Sequence, residues 1–201
     1  MISPLLLTVC DKEFNKQFGT AFANSARANG NEVNIIETPL AKIFGPEMKG
    51  TPVGGYGCGR FVVLLEMLKH HPAILVLDID SIVRAKIEIE PEYDLGICLR
   101  PDHESRVMNR RVQCSAFYAT DRAIPFVQAI CKRFVGELIS LLDQTIVYEI
   151  YQQMKDDFKI KILGTDFIDW NMSDTAKIWT AKGPRKYHDE RYLSELKRYG
   201  T

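Results

Sequence analysis

The chain predicts an α/β fold with a mixed, mainly parallel central sheet flanked by helices, and three observations carry that expectation. The first is the run at residues 72–80, where the apolar residues Ala73 to Leu77 stand between Pro72 and two aspartates, Asp78 and Asp80. An unbroken apolar run with such boundaries reads as a strand buried on both faces, as parallel sheets require. The second is the order strand, helix, strand, helix, strand over the first eighty residues, which is the pattern of right-handed crossovers. The third is size and balance. The chain has 201 residues, 46% of them hydrophobic, with 26 basic against 26 acidic side chains, which suits one domain (1–201) with a sizeable core.

Each element has its own justification. Residues 5–10 are apolar and end at Asp11, as a first central strand would. Residues 13–29 place Phe14, Phe18, Ala21, Phe22 and Ser25 at helical spacing, and Gly30 stands where a left-handed cap ends a helix. Residues 33–36 fit a second strand. The glycines and prolines of residues 38–59 predict a loop, and residues 60–70 predict a helix with Phe61, Leu64, Leu65 and Leu68 on one face. After the aspartate-tipped strand, residues 93–99 and 112–119 predict two more strands around a charged loop at 100–111. Thr120 or Asp121 can cap a helix running to about residue 142, with Pro125 in its first turn. A helix at 144–155, a strand at 159–163, an apolar run at 176–179 and a polar, solvated helix in the tail complete the reading.

Composition excludes several classes. A neutral chain lacks the basic surface that broad nucleic-acid binding needs. The five cysteines, Cys10, Cys58, Cys98, Cys114 and Cys131, are odd in number and without CxxC spacing, so they read as reduced thiols. His70, His71, His103 and His188 have no HxxxH or HExxH spacing, which argues against a zinc hydrolase. The first residues have a brief apolar run and no basic segment, too short for a signal peptide or membrane span, so the expectation is a cytoplasmic chain with no transmembrane segment.

The chemistry centres on Asp78 and Asp80. Side chains alternate along a strand, so both carboxylates project to one side. There they repel each other unless a cation intervenes, which points to Mg²⁺ or Mn²⁺ held by hard oxygens and, through it, to a phosphate-bearing substrate. The plain alternative is that both acids cap the next turn. The glycine cluster at 54–59 opens the helix expected to begin at Arg60; it reads either as an anion site or as a flexible loop with a surface arginine. Asp143 and Gln144 lie between two expected helices, where they can bind sugar hydroxyls, although Asp143 alone fits a helix N-cap. The stretch Lys182 to Lys186, with Gly183 inside it, can close over phosphates or be an ordinary solvated basic loop.

Together these segments resemble the GT-A nucleotide-sugar glycosyltransferases, and most of all the retaining family of glycogenin and the bacterial galactosyltransferases. The resemblance runs through 7–11, 60–68, 77–81, 113–117, 143–144 and 183–186. It implies a single-domain GT-A fold and a metal-dependent transfer from a nucleotide-sugar donor, UDP-linked by the likeness, to a hydroxyl acceptor such as a glycan. It further implies that Thr8, Val9, Cys10 and Asp11 hold the base, that Arg60 reaches the donor diphosphate or sugar, and that Asp78 and Asp80 share the metal and ribose. Asp143 and Gln144 would line the sugar site, and Gly183 and Lys186 would bind diphosphate. Three departures accompany the likeness. Thr180 stands where the family has a metal-binding histidine, Tyr187-His188 replaces Pro-Trp, and Cys114-Ser115-Ala116 replaces Asn-x-Gly. Three rivals stay open: a haloacid-dehalogenase-type phosphatase with Asp78 as nucleophile, a nucleotidyltransferase, and a non-catalytic nucleotide-sugar binder.

Overall fold

A computed structural model describes residues 1–47, 49–100, 111–181 and 183–201. The charged loop expected at 100–111 falls largely outside these residues, as do His103 and Lys182.

The amino-terminal half follows the expected order. β1 (Leu5–Cys10) is buried throughout. Asp11 caps the next helix, its carboxylate accepting the Phe14 amide at 2.7 Å. That helical run comprises α1 (Lys12–Phe14), a π-helical stretch Asn15–Gly19 and α2 (Thr20–Ala28). It closes at Gly30 with φ 72°, a conformation that glycine adopts without steric cost. β2 (Val33–Glu37) follows and pairs in parallel with β1.

The expected loop at 38–59 is where sequence and structure part. It contains α3 (Leu40–Phe44), and α4 (Pro52–Met67) begins eight residues before Arg60, capped by Thr51 and started by Pro52. The glycines therefore lie inside a helix, and their amides do not form an exposed anion cradle. They are there because other chain segments press against them. A Cβ on Gly54 would lie 2.4 Å from the Leu138 carbonyl oxygen, and one on Gly55 would lie 2.3 Å from the Leu40 side chain. Glycine costs about 1 kcal/mol relative to alanine in a helix. Close tertiary packing offsets that cost.

β3 (Ala73–Leu77) is wholly buried, as expected, and runs parallel to β1. β4 (Ser81–Val83), β5 (Leu95–Leu99) and β6 (Val112–Thr120) come next. A 3₁₀ turn at Asp121–Ala123 leads into α5 (Ile124–Lys132), which carries Pro125 in its first turn. The helix expected to reach residue 142 stops at Lys132. Gly136, at φ 80°, lies in the irregular segment that follows. α6 (Leu142–Met154), β7 (Ile160–Ile162), β8 (Ile168–Asp169), β9 (Ile178–Thr180) and α7 (Glu190–Tyr199) complete the chain.

Among the described residues, six strands form the main sheet in the order β2-β1-β3-β6-β5-β7. Three of its pairings are parallel, β1 with β2, β1 with β3 and β5 with β7, while β6 runs against both neighbours. This is the mixed, mainly parallel sheet the sequence predicts. One face packs on α4, α5 and α6 through Phe61, Phe117, Phe126 and Ile146; the other holds Leu6, Phe22, Leu75 and Tyr118. A small sheet, β4-β9-β8, stands beside it, and its two- and three-residue strands were not legible beforehand. Among the described residues, no helix is long and apolar enough to cross a membrane, and all five cysteines are free thiols.

Candidate active site

The topology brings one edge of the main sheet to a single opening. β1 and β3 are parallel, so their carboxyl ends share an edge, where ligands of α/β sheets bind. Because β6 is antiparallel to β3, its beginning lies at the same edge, and the Asp78 amide donates to the Ser115 carbonyl there at 3.1 Å. A cavity of about 500 Å³ opens at this edge. Its walls include Val9, Cys10 and Asp11 from the end of β1, Asp78 and Asp80 beyond β3, and Arg60 from α4. Asp143 and Gln144 from the start of α6, with Gly183 and Lys186, complete the set. Thr8 is the exception. It is buried in the sheet, does not line the cavity, and its hydroxyl has no hydrogen-bond partner among the described residues.

Asp78 and Asp80 occupy the turn after β3, closed by the Ser81 amide donating to the Asp78 carbonyl at 3.1 Å. The turn is closed through the backbone, while the two carboxylates engage Arg60 and Lys186 rather than capping it. Arg60 is fixed by three acceptors: its Nε donates to the Gly57 carbonyl at 3.1 Å, and its Nη1 to the Cys114 carbonyl and to Asp78 Oδ1, each at 2.6 Å. Burial works to lower the Arg60 pKa, but Asp78 and Asp143 beside it raise it further. The guanidinium stays charged.

Asp80 is paired differently. Its Oδ2 accepts from the Lys186 ammonium, and both side chains are largely enclosed, 8% and 15% exposed. Burial, then the neighbouring Asp78 charge, pushes the Asp80 carboxyl upward, and Lys186 opposes the shift. The backbone at Asp80 is anchored from α7, where the Tyr192 hydroxyl donates to the Asp80 carbonyl at 2.8 Å. Asp189 caps that helix with its carboxylate.

Asp143 is not the N-cap that its sequence context suggests. The cap position belongs to Leu141, at φ 68°, and Asp143 is the second residue of α6. Its buried carboxyl has its pKa raised by burial, with Arg60 acting against the shift. The helix that carries it is held close to α4 because Gly57 has no side chain: a Cβ there would lie 3.2 Å from the Asp143 carboxyl carbon.

Sequence reasoning missed part of the lining. Phe14 and Tyr56 supply aromatic surface beside Cys10 and Asp11, and Gln113 and Ser115 reach the cavity from β6. The Oε1 atoms of Gln113 and Gln144 and the Ser115 hydroxyl have no hydrogen-bond partner among the described residues. Buried polar atoms without partners inside a cavity mark places for a ligand's polar groups. Two polar residues at alternate positions in an otherwise buried strand were the available signal for Gln113 and Ser115.

The donor set suits a divalent cation in part. Asp78 and Asp80 face one cavity, and each already holds a cationic partner, the Arg60 guanidinium and the Lys186 ammonium. Among the described residues, four acids line the walls (Asp11, Asp78, Asp80, Asp143) against three bases (Arg60, Arg100, Lys186), so a diphosphate entering here meets no excess of positive charge. No group of three His, Cys, Asp or Glu side chains is placed to share an ion among the described residues, and Thr180 lines the cavity as a neutral hydroxyl. Remaining oxygens would have to come from the substrate or water.

No protein-family model matches the chain, and no curated protein does. Solved structures do. A galactosyltransferase, LgtC, in complex with donor and acceptor sugar analogues, superposes with a TM-score of 0.61 at 12% identity, covering 98% of this chain and 96% of that one. A glycosyltransferase involved in the glycosylation of the major capsid of PBCV-1 gives 0.62 at 13% identity over 94% of this chain and all of that one. The glycosyltransferase GlyE of Streptococcus pneumoniae gives 0.58 at 13% identity, with 98% of this chain on 60% of its own. The chain has the GT-A fold.

Proposed function

We propose that this chain transfers a sugar from a nucleoside diphosphate donor, UDP-linked by the sequence likeness, to a hydroxyl acceptor such as a glycan, within one GT-A domain. One observation carries the reading. Residues far apart in sequence, 9–11, 60, 78–80, 143–144, 183 and 186, line one cavity at the ligand-binding edge of the sheet. The glycosyltransferase fold neighbours support the same reaction class.

The bond between the sugar's anomeric carbon and the diphosphate oxygen breaks, a bond to the acceptor oxygen forms, and the acceptor's proton leaves with the nucleoside diphosphate. Charge gathers on the diphosphate as it departs. Arg60 and Lys186 answer that charge from fixed or enclosed positions, where electrostatic help is strongest. A divalent ion, Mn²⁺ or Mg²⁺, would be held by Asp78 and Asp80 and would add Lewis-acid stabilisation of the same group. Asp143 and Gln144 take the sugar face, where Asp143 stabilises positive character at the anomeric carbon and Gln144 Oε1 accepts from a hydroxyl. Cys10 and Asp11 offer polar atoms to the base, with Phe14 and Tyr56 beside it.

The phosphatase alternative needs Asp78 free to attack phosphorus. Its Oδ1 is instead bonded to Arg60 at 2.6 Å, an arrangement that orients a binding carboxylate and weakens a nucleophile. The test is product analysis with UDP-sugars and a panel of glycan acceptors. Wild type should release UDP and extend one acceptor, and Asp80→Asn should lower turnover by about a hundredfold or more, the usual scale for losing one preorganised electrostatic group. Unchanged turnover in that variant, or phosphate release from simple phosphomonoesters, would contradict the assignment.

A further inference from the structure

We infer that Lys186 is an exchangeable counter-cation: it neutralises Asp80 while the site is empty and surrenders that carboxylate when a nucleoside diphosphate arrives, so that a divalent ion is accepted only together with the nucleotide. The inference rests on the sugar-transfer reading and adds an order of assembly to it.

Two independent observations support it. The first is occupancy. Asp78 Oδ1 is engaged by Arg60 and Asp80 Oδ2 by Lys186, so each carboxylate already has a partner. Arg60 is committed to two backbone carbonyls besides Asp78, which holds it in place. Among the described residues Lys186 makes no other hydrogen bond; its ammonium lies 5.5 Å from the rings of Phe14 and Phe18, a contact compatible with movement. It sits in a short 3₁₀ segment, Gly183–Tyr187, that starts at a glycine with φ 60°. Of the two cations, Lys186 is the one able to leave.

The second is the number of donors. An octahedral Mg²⁺ or Mn²⁺ needs about six oxygens, and such ions are usually held by one or two carboxylates with substrate phosphates and water supplying the rest. Here two carboxylates are available, and the neighbouring position on β9 is Thr180, 3% exposed and neutral. Such a set competes poorly with an ammonium already seated on Asp80. An incoming diphosphate changes both terms at once. Its oxygens draw Lys186 away from Asp80, and they supply the ligands that the protein lacks. Binding of nucleotide and of metal should therefore be coupled, and the coupling must be reciprocal.

The experiment is titration of Mn²⁺ into the full chain, with free Mn²⁺ followed by its paramagnetic resonance signal, with and without UDP. Wild type should bind Mn²⁺ at least tenfold more tightly with UDP than without. Lys186→Met should bind Mn²⁺ alone at least tenfold more tightly than wild type, lose UDP affinity, and show Mn²⁺-dependent thermal stabilisation because Asp80 has lost its partner. Lys186→Arg, which keeps a cation there, should bind Mn²⁺ alone as weakly as wild type, and it guards against a folding defect in the methionine variant. Equal Mn²⁺ affinity in wild type and Lys186→Met without nucleotide would overturn the exchange. So would wild type binding Mn²⁺ as tightly without UDP as with it. If no nucleoside diphosphate binds wild type at any Mn²⁺ concentration, the sugar-transfer reading fails, while the metal-only comparison of the three proteins still decides the Lys186–Asp80 exchange.

Discussion

At the scale of single residues, Asp143 shows how the site departs from what stability alone would choose. Its carboxyl is enclosed beside Arg60 and its pKa is raised, with burial as the largest cause. A carboxyl whose pKa is higher folded than unfolded contributes stability below its unfolded value, about 3.9. That contribution is lost as pH rises through the folded value. Asp143→Asn, which cannot ionise, should therefore melt higher than wild type at pH 7 and show a shallower fall in stability as pH rises from 4. If Asp143 faces the sugar, the same variant should lose about a hundredfold in turnover or more. A lower melting temperature in Asp143→Asn would show that the charge itself stabilises the fold. The charged members of the site were legible in sequence because an acid or base inside an apolar context stands out: Asp78, Asp80, Asp143, Arg60 and Lys186 all reach the cavity. Thr8 lies inside the sheet, one position before the strand opens, so that Val9, Cys10 and Asp11 line the cavity and Thr8 does not. Phe14 and Tyr56 carried no signal, since an aromatic on a helix is as readily core as binding surface.

At the scale of elements, the glycine-rich start of α4 decides the shape of the cavity. Local rules read residues 54–59 as a loop, because glycine weakens helices and no neighbour in sequence announces what packs against them. The reason is tertiary. Gly54 meets the backbone around Leu138 and Ile139, and the chain continues from there into Leu141 and Asp143. A methyl group on Gly54 would lie 2.5 Å from the Ile139 carbonyl carbon, which cannot swing aside, whereas one on Gly59 would meet the flexible end of Ile43 at 3.0 Å. Gly54→Ala should thus destabilise by about 1–3 kcal/mol, the usual range for overpacking. Gly59→Ala should be near neutral, because the helix gains up to about 1 kcal/mol from alanine. Chemical denaturation of the two variants checks this, and equal stabilities would contradict the packing account. The helix expected to run to residue 142 failed for a related reason. The apolar pattern continues through Phe134 and Leu138, but the segment is extended there to reach α4, where the Thr51 amide donates to the Leu138 carbonyl at 3.0 Å.

At the scale of the whole molecule, the order of strands and helices along the first eighty residues was enough to predict the parallel half of the main sheet, β2-β1-β3, because buried parallel strands and their crossovers leave strong patterns. The second sheet was not, since its strands of two and three residues have no periodicity to read. Yet that sheet and α7 carry the far wall of the site. Ser81 on β4 pairs with Thr180 on β9, and Tyr192, more than a hundred residues from Asp80 in sequence, donates to the Asp80 carbonyl. Tyr192→Phe should cost about 0.5–1.5 kcal/mol for that hydrogen bond. It should also lower turnover more than its small stability loss accounts for, because the turn bearing Asp78 and Asp80 loses an anchor; steady-state kinetics at a temperature well below melting separates the two effects. Unaltered kinetics would assign Tyr192 to the fold alone.

The most direct measurement is a crystal structure of the chain grown with UDP and Mn²⁺. The account predicts the nucleotide in the cavity at the carboxyl ends of β1 and β3, with its diphosphate against Lys186 and Asp80 no longer bonded to that lysine. Nucleotide density elsewhere, or a bound diphosphate with the Lys186–Asp80 pair intact, would contradict it.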